Sequence, residues 1–400
     1  MTRSFNLRLL LLTLALMTLS PPVAAQSIRE ADDGVGSTVQ QRGRRYDIDG
    51  GSRSRNGRNL FHSFERFGLE QGEIANFLSD PQVRNILGRV TGGDASIVDG
   101  LLRVSGGEAN LFLINPAGVL FGENARLDLS GDFTATTATG IGFEGGDFPA
   151  VGDANYSALV GDPSSFAFSE DSPGAVANRG DLAIAPGHAL TLLGGQVINT
   201  GTLTAPGGTL TVAAVEGGSR VRINQAGMLL GLELETQTET QLGPGNPVPF
   251  NPLSLPELLT GGGVTSASEV TVAADGTIRL SGGTAVPSAP GTAIAAGTLD
   301  ASDPSRSTAQ INVVGDRVVV ADALLDASGR DGGTVRVGGD VGGAGSIPNA
   351  SDTRVTADST IQADALQSGD GGTVVVWSDV SATVAGELTA RGGPAGGDGG

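Results

Sequence analysis

The sequence predicts an all-β protein, a right-handed parallel β-helix with an N-terminal cap and extra-helical loops. Three observations indicate this class. Apolar runs of three to five residues alternate with corners rich in Gly, Asn and Asp along most of the chain. Glycine supplies 64 of the 400 residues, about twice its average share. Motifs recur in the C-terminal part at multiples of about 20 residues, as expected for a solenoid.

Composition sets the kind of core and excludes some partners. Hydrophobic residues make up 39% of the chain and aromatic residues only 4%, so the interior is narrow and filled by small and β-branched side chains. The formal net charge of −19 repels nucleic acid, which we do not expect as a partner. The arginines between Arg42 and Arg58 are interpreted as a solvated face, with a contact patch for an acidic partner as the alternative.

The first 25 residues have the pattern of an export signal. Arg3 and Arg8 precede an apolar run at 9–19 that is too short to span a bilayer with these flanks. Small residues end the segment, which predicts cleavage after Ala25. The chain has no cysteine, so the exported protein is expected to be stable without disulfides in an oxidising compartment.

Strand patterns follow a polar lead-in at 26–58, which we expect to cap the open edge of the first coil. The predicted coil segments are 59–69, 84–93, 95–107, 110–122, 125–138 and 180–218. A short helix is predicted from Gly72 to Leu78. A looser region at 140–175 carries phenylalanines, and the proline-rich stretch at 242–259 is incompatible with a central strand.

The C-terminal part carries a repeat. Asp-Gly-Gly-Thr-Val begins at Asp331 and again at Asp370, an offset of 39 residues that we interpret as two units. A third copy begins near residue 387 without its strand, so the natural protein is expected to be longer. A β-sandwich is the second choice of fold, because few two-residue hairpin turns are present.

The segment Asn115-Pro116-Ala117-Gly118 separates two apolar runs and predicts a tight turn between two strands. Asn115 can cap the turn with its side-chain oxygen, and Pro116 fixes φ near the value that the second turn position needs. Gly118 can adopt a backbone conformation that is costly for other residues. Local turn chemistry alone accounts for these four residues.

Three blocks add a family resemblance: NLFHSF from Asn59, ILGRVTGGDASIVDGLL from Ile86, and ANLFLINPAGVLFGENARLDLSGDFTATTA from Ala109. Together they resemble the N-terminal two-partner secretion domain of the filamentous haemagglutinin family, in its cyanobacterial-type exoprotein branch. That family usually has Asn-Pro-Asn-Gly followed by Ile, whereas Ala117 and Val119 occupy the third and fifth positions here. A second family motif, Asn-Pro-Asn-Leu, is absent.

The resemblance implies an exported, non-enzymatic protein at the cell surface or in the medium. Its partner is expected to be an outer-membrane barrel transporter with periplasmic domains, and the downstream rod is expected to be adhesive, with a cell-surface or carbohydrate receptor and a monomeric state. The implied division is a signal peptide at 1–25, a secretion domain at 26–241, a Pro/Gly-rich loop or linker at 242–263 and β-helical repeats at 264–400. The implied secretion-motif residues are Asn110, Asn115, Pro116, Gly118 and Gly122.

Enzyme functions find little support in the sequence, and no cofactor is expected. The only histidines, His62 and His188, suggest no catalytic set, and without cysteine no zinc site can be proposed. A carbohydrate-active β-helix, such as a polysaccharide lyase, is the alternative function, although Trp377 and two tyrosines offer few platforms for sugars. Calcium binding at the corners of Asp331 and Asp370 is a further alternative to simple turn chemistry.

Overall fold

The computed structural model describes residues 28–223, 229–234, 252–261, 270–272, 278–280, 285–286, 288–345 and 347–400. The predicted signal peptide and its cleavage site at Ala25 lie outside these ranges. The described chain winds into successive coils, and each complete coil contributes one strand to each of three faces. We name these faces PB1, PB2 and PB3.

PB1 is the longest sheet, and its strands are Arg29–Glu30, Ser52–Arg53, Asn59–Arg66, Asn85–Val90, Asn110–Ile114, Phe133–Thr136, Ala189–Gly194, Thr209–Ala214, Gln310–Val314, Thr334–Val337 and Thr373–Val376. PB2 contains Ser96–Val98, Val119–Phe121, Ala175–Asn178, Gln196–Asn199, Thr292–Ala295, Arg317–Val320, Asp352–Val355 and Ser381–Val384.

PB3 consists of two sheets that follow one another along the solenoid. The first contains Ser37–Arg42, Arg45–Gly50, Ile74–Leu78, Leu101–Ser105 and Arg126–Asp128. The second contains Asp181–Ala183, Thr202–Thr204, Thr298–Asp300, Leu324–Asp326, Thr360–Gln362 and Glu387–Thr389.

Coils stack in parallel register, which confirms the predicted parallel β-helix. In PB1, Leu111 pairs with Ile86 on one side and with Phe133 on the other. Side chains alternate along each strand, so these three residues point into the coil and are almost fully buried. Small residues such as Ala205 and Ala293 are also fully buried in this core, as the composition predicts.

The lead-in forms the expected N-terminal cap. Ser37–Arg42 pairs antiparallel with Arg45–Gly50, and Arg29–Glu30 pairs antiparallel with the first full PB1 strand, Asn59–Arg66. Ser52–Arg53 is also antiparallel to that strand. The cap therefore occupies backbone groups that an open first coil would leave unpaired.

Two excursions leave the coils and fold against their outer faces. An antiparallel sheet of Gly140–Phe143, Gly146–Pro149, Ser165–Phe168, Ser219–Ile223 and Leu229–Leu234 lies outside PB1. Its Phe148 packs on Phe61, with the ring centroids 4.9 Å apart. The second excursion supplies Ser219–Ile223 and Leu229–Leu234 to this sheet, and it also contains the helix Leu255–Gly261 and the strands Val270–Val272, Ile278–Leu280 and Ala285–Val286. It covers the outer face of PB2. Short 3₁₀ turns occupy Tyr156–Ala158 and Val341–Gly343.

Three sequence expectations need correction. The predicted helix from Gly72 to Leu78 is wrong, because Ile74–Leu78 is a PB3 strand between two parallel neighbours. The stretch expected to be only loop or linker contains the helix Leu255–Gly261. The 39-residue offset is one coil rather than two, because Thr334 pairs directly with Thr373. The residues that lengthen this coil form the turn around Val341–Gly343.

Candidate functional site

The predicted turn at Asn115–Gly118 is the corner at which the chain passes from PB1 to PB2. The backbone N–H of Gly118 donates to the Asn115 carbonyl oxygen at 3.0 Å, and the N–H of Ala117 donates to Asn115 Oδ1 at 3.0 Å. Gly118 has φ of +133°, which favours glycine. The turn chemistry expected from the sequence is therefore present.

Asn115 also joins two coils. Its Nδ2 donates to the Asp94 carbonyl oxygen at 2.9 Å and to Ser96 Oγ at 3.0 Å, both in the preceding coil. The whole side chain is buried, with no exposed surface. Replacing Asn115 would thus leave buried polar groups of the turn and of the neighbouring coil without their partner. No local pattern in the sequence indicates that Asp94 and Ser96 bind Asn115.

Asn110 lies at the other end of the same PB1 strand, in a ladder of stacked side chains. Asn85 Nδ2 donates to Asn59 Oδ1 at 2.9 Å, and Asn110 Nδ2 donates to Asn85 Oδ1 at 3.0 Å. The Asn110 Oδ1 then accepts from the backbone N–H of Asp132 at 2.9 Å. The three asparagines begin the similar triplets NLF, NIL and NLF, a spacing signal for the ladder that is visible in the sequence.

Gly122 belongs to a third corner, between PB2 and PB3. A side chain at this position would collide with Asp99, since a Cβ would lie 2.2 Å from its Oδ1. That carboxylate instead accepts from the backbone N–H and from Nδ2 of Asn124, at 2.9 and 3.0 Å. The structure therefore places Asn115, Pro116 and Gly118 in one corner, while Asn110 and Gly122 serve two others.

Arg89 joins three parts of the fold through its buried side chain, a role that no pattern in the sequence indicates. It is 1% exposed, and its guanidinium connects PB1 to both the cap and the first excursion. It donates to Ser63 Oγ at 3.0 Å, to Asp33 Oδ2 at 2.8 Å, and to the carbonyl oxygens of Pro149 and Gly152 at 2.8 Å each. Such complete pairing is what a buried guanidinium requires.

Asp33, the acid that pairs with Arg89, is kept ionised by its hydrogen bonds. Burial raises the pKa of Asp33, but hydrogen bonds from Ser63 and Arg89 more than offset it, so the pKa lies below its ordinary value. The ring of Phe148 adds a cation–π contact, with the guanidinium carbon 5.2 Å from its centroid. Cap, first coils and excursion are thereby fixed to one another.

His62 points into the first coil and is fully buried. Its Nδ1 lies 3.3 Å from Ser37 Oγ in the cap, and its Nε2 has no hydrogen-bond partner. Burial lowers the pKa of His62 from 6.5 to about 4, so the ring is neutral at physiological pH. His188 lies elsewhere, at a corner where its Nδ1 is 3.1 Å from Asp132 Oδ1.

The aromatic residues considered for sugar binding take part in internal contacts. The Tyr46 hydroxyl donates to Glu73 Oε1 at 2.9 Å. Burial is the largest cause that raises the pKa of Tyr46, to about 12, and the hydrogen bond to Glu73 is the second. The Tyr156 hydroxyl accepts from Arg89 at 3.2 Å. The indole N–H of Trp377 donates to Asp379 Oδ1 at 3.1 Å. These three residues form no shared platform.

The acidic corners considered for calcium are engaged in turn hydrogen bonds. Asp331 Oδ2 accepts from Ser307 Oγ at 2.6 Å, and Asp370 Oδ1 accepts from the backbone N–H of Asp398 at 2.8 Å. Within the described ranges, no three His, Cys, Asp or Glu side chains come together in an arrangement that could hold a metal ion. Nor do these ranges contain a helix whose length and hydropathy would let it cross a bilayer.

Capped parallel coils, with buried polar corners that join one coil to the next, define the class of capped β-helical proteins. A family model described as the TPS secretion domain matches residues 25–243, and the chain belongs to this family of two-partner secretion proteins. It is thus a two-partner secreted exoprotein, exported through the outer membrane to the cell surface or the medium.

Two solved structures are similar to this chain. The HMW1 secretion domain from Haemophilus influenzae shares 18% identity over 94% of this chain and 91% of its own, with a TM-score of 0.49. A filamentous hemagglutinin secretion domain shares 14% identity over 94% of this chain and 98% of its own, with a TM-score of 0.44. A search of curated proteins found no match.

Proposed function

We propose that the transporter partner of this exoprotein recognises the corner Asn115–Gly118. We further propose that folding of the coils outside the cell then keeps export moving outward. Membership of the family implies a cognate outer-membrane transporter. The observation that supports a role for folding is the continuous ladder, in which each coil pairs only with its neighbours. A coil added to a formed stack is stable where an isolated coil is not.

The periplasmic domains of the transporter would capture the chain while it is extended, by adding it to a sheet edge. The strands Asn110–Ile114 and Val119–Phe121 flank the corner and are suited to such pairing. The cap at 28–53 and the Arg89 contacts would then fix the first coils once they emerge. We propose residues 26–241 as the unit that carries this recognition.

The downstream coils would form a non-enzymatic, monomeric rod that binds a cell-surface or carbohydrate receptor. The family consists of secretion domains of adhesin-type exoproteins, which supports a non-enzymatic role. The internal contacts of Tyr46, Tyr156 and Trp377 give no support to the lyase alternative.

Export of Asn115→Ala tests the proposal, with Asn178→Ala as a matched control. Asn178 is also fully buried at a corner. Its Oδ1 accepts from the N–H two residues ahead at 3.0 Å, and its Nδ2 donates to Asn199 in the next coil at 2.7 Å. Both variants should lose about 1–3 kcal/mol of stability.

In cells that contain the transporter, we expect Asn115→Ala to be exported several-fold less than Asn178→Ala. Urea denaturation of both purified proteins measures their loss of stability directly. Equal export of the two variants would show that the corner is a structural turn and not a site that the transporter recognises.

A further inference from the structure

The corner Asn115–Gly118 is covered in the folded protein by a segment from far downstream. The backbone N–H of Leu253 donates to the Ala117 carbonyl oxygen at 2.9 Å, and the Leu253 carbonyl oxygen accepts from the N–H of Ala175 at 3.0 Å. This segment thus lies between the corner and the following PB2 strand. We call residues 253–260 the corner lock.

Apolar packing holds the corner lock in place. Leu255 is 0% exposed and Leu258 is 1% exposed, in a cluster with Leu120 and Ile198 of the outer PB2 face. A Cβ placed on Gly118 would lie only 3.3 Å from Leu258 Cδ1, so the absence of a side chain at Gly118 lets the lock approach. Docking therefore buries the turn together with the apolar face beside it.

Polar contacts fix the orientation of the lock. The backbone N–H of Leu255 donates to Gln196 Oε1 in PB2 at 2.7 Å. Ser254 and Glu257 form one half of a capping box, in which Glu257 Oε2 accepts from the N–H of Ser254 at 2.9 Å and from its Oγ at 2.6 Å. Hydrogen bonds from Ser254 lower the pKa of Glu257, so the box is charged at neutral pH.

We propose that docking of the corner lock ends recognition by the transporter: capture begins on the extended chain, and the corner stays open to the transporter until the residues beyond about 250 fold back onto it. This inference rests on the proposed function of the corner. The lock is a segment of the same chain that reaches its place only after the coils beneath it have formed. Its occupation of the corner and of the face around Leu120 excludes any other chain from that surface.

Hydrogen exchange of the full chain, followed by mass spectrometry, tests whether the lock controls access to the corner. The amides of Leu253 and Ala175 report on the lock, because these two N–H groups donate across its contact with the corner and with the neighbouring PB2 strand, and they exchange only when that contact opens. In Leu258→Ala, we expect exchange at these two amides to accelerate by at least about 30-fold, from the lower end of the cost of removing a buried leucine side chain.

Leu325→Ala is the matched control, because Leu325 is a fully buried leucine inside a distant coil. It should leave exchange at the amides of Leu253 and Ala175 unchanged. Equal acceleration of hydrogen exchange in both variants, or no acceleration in Leu258→Ala, would contradict the proposal that the lock controls access to the corner. Ser254→Ala keeps the apolar contacts and removes only the hydroxyl before the helix, so about fivefold acceleration is expected even if Leu258→Ala does not fold.

The consequence for export is measured with Leu258→Ala in cells that contain the transporter. We expect the fraction of exported chain that can be crosslinked to the transporter to rise at least twofold, because the corner stays accessible. An unchanged fraction would overturn the role in release. If Asn115→Ala and Asn178→Ala are exported equally, the proposed function fails, and the exchange experiment still decides whether the lock opens.

Discussion

Lowering the pH should destabilise the first coil through a single buried ring. His62 has a pKa of about 4 in the folded protein, against an ordinary value of 6.5. The folded state binds a proton at His62 less tightly than the unfolded state does. The stability that comes from burying the neutral ring is therefore fully present above pH 6.5. It is then lost as the pH falls towards 4.

The magnitude follows from the size of the pKa shift. Each unit of difference between folded and unfolded pKa corresponds to about 1.4 kcal/mol. Between about pH 7.5 and about pH 5, linkage gives a loss of about 2 kcal/mol from this group alone. Burial is the largest cause of the shift; the charge of Asp49 opposes it, and that of Arg53 adds to it.

Urea denaturation at the two pH values measures this loss, with His62→Leu as the comparison. The leucine does not titrate, and Ser37 Oγ keeps its hydrogen bond from the N–H of Ser63 at 2.9 Å. The drop in free energy of unfolding from pH 7.5 to pH 5 should be about 2 kcal/mol smaller in the variant. An identical drop in both proteins would refute the assignment of the pH dependence to His62.

Two further predictions concern buried polar groups. Arg89→Met should lower the free energy of unfolding by about 3–5 kcal/mol, because Asp33 and two carbonyl groups lose their partner. Arg103→Met, which breaks the ion pair of Arg103 with Asp128 at the surface, should cost less than about 1 kcal/mol. Similar midpoints of urea denaturation for these two variants would contradict the central role of Arg89. Asn85→Ala interrupts the asparagine ladder and should cost about 2 kcal/mol. Thermal denaturation of that variant checks the value, and a stability equal to that of the wild type would show that the ladder contributes nothing.

The coil architecture could be predicted because its signals are local. Clusters of Gly, Asn and Pro mark most corners, and short apolar runs between them at a recurring spacing favour the strands of a narrow solenoid over a β-sandwich. The turn at Asn115–Gly118 follows from these rules. The asparagine ladder repeats a local triplet and could have been found in the same way.

Contacts between distant parts of the chain could not be predicted. Ile74, Phe77 and Leu78 have helical spacing, but stacking between two formed strands imposes extended backbone on them. Nothing near Arg89 in sequence indicates that it binds residues 33, 149 and 152. The cover over Asn115–Gly118 depends likewise on leucines in a proline-rich stretch whose local pattern predicts only a loop.

The position of Trp377 provides a built-in optical reporter. It is the only tryptophan in the chain, and its backbone N–H donates to the Val337 carbonyl oxygen at 3.0 Å, directly after the PB1 strand Thr373–Val376. Its indole packs against Gly339 and Gly343 of the preceding coil. The emission of selectively excited tryptophan therefore records the closing of the coils around residue 377, while the N-terminal end of the solenoid, whose fluorophores are tyrosines, is invisible to it. If folding starts at the N-terminal cap, as proposed above, stopped-flow emission gives the time at which folding that began some 300 residues earlier reaches these coils.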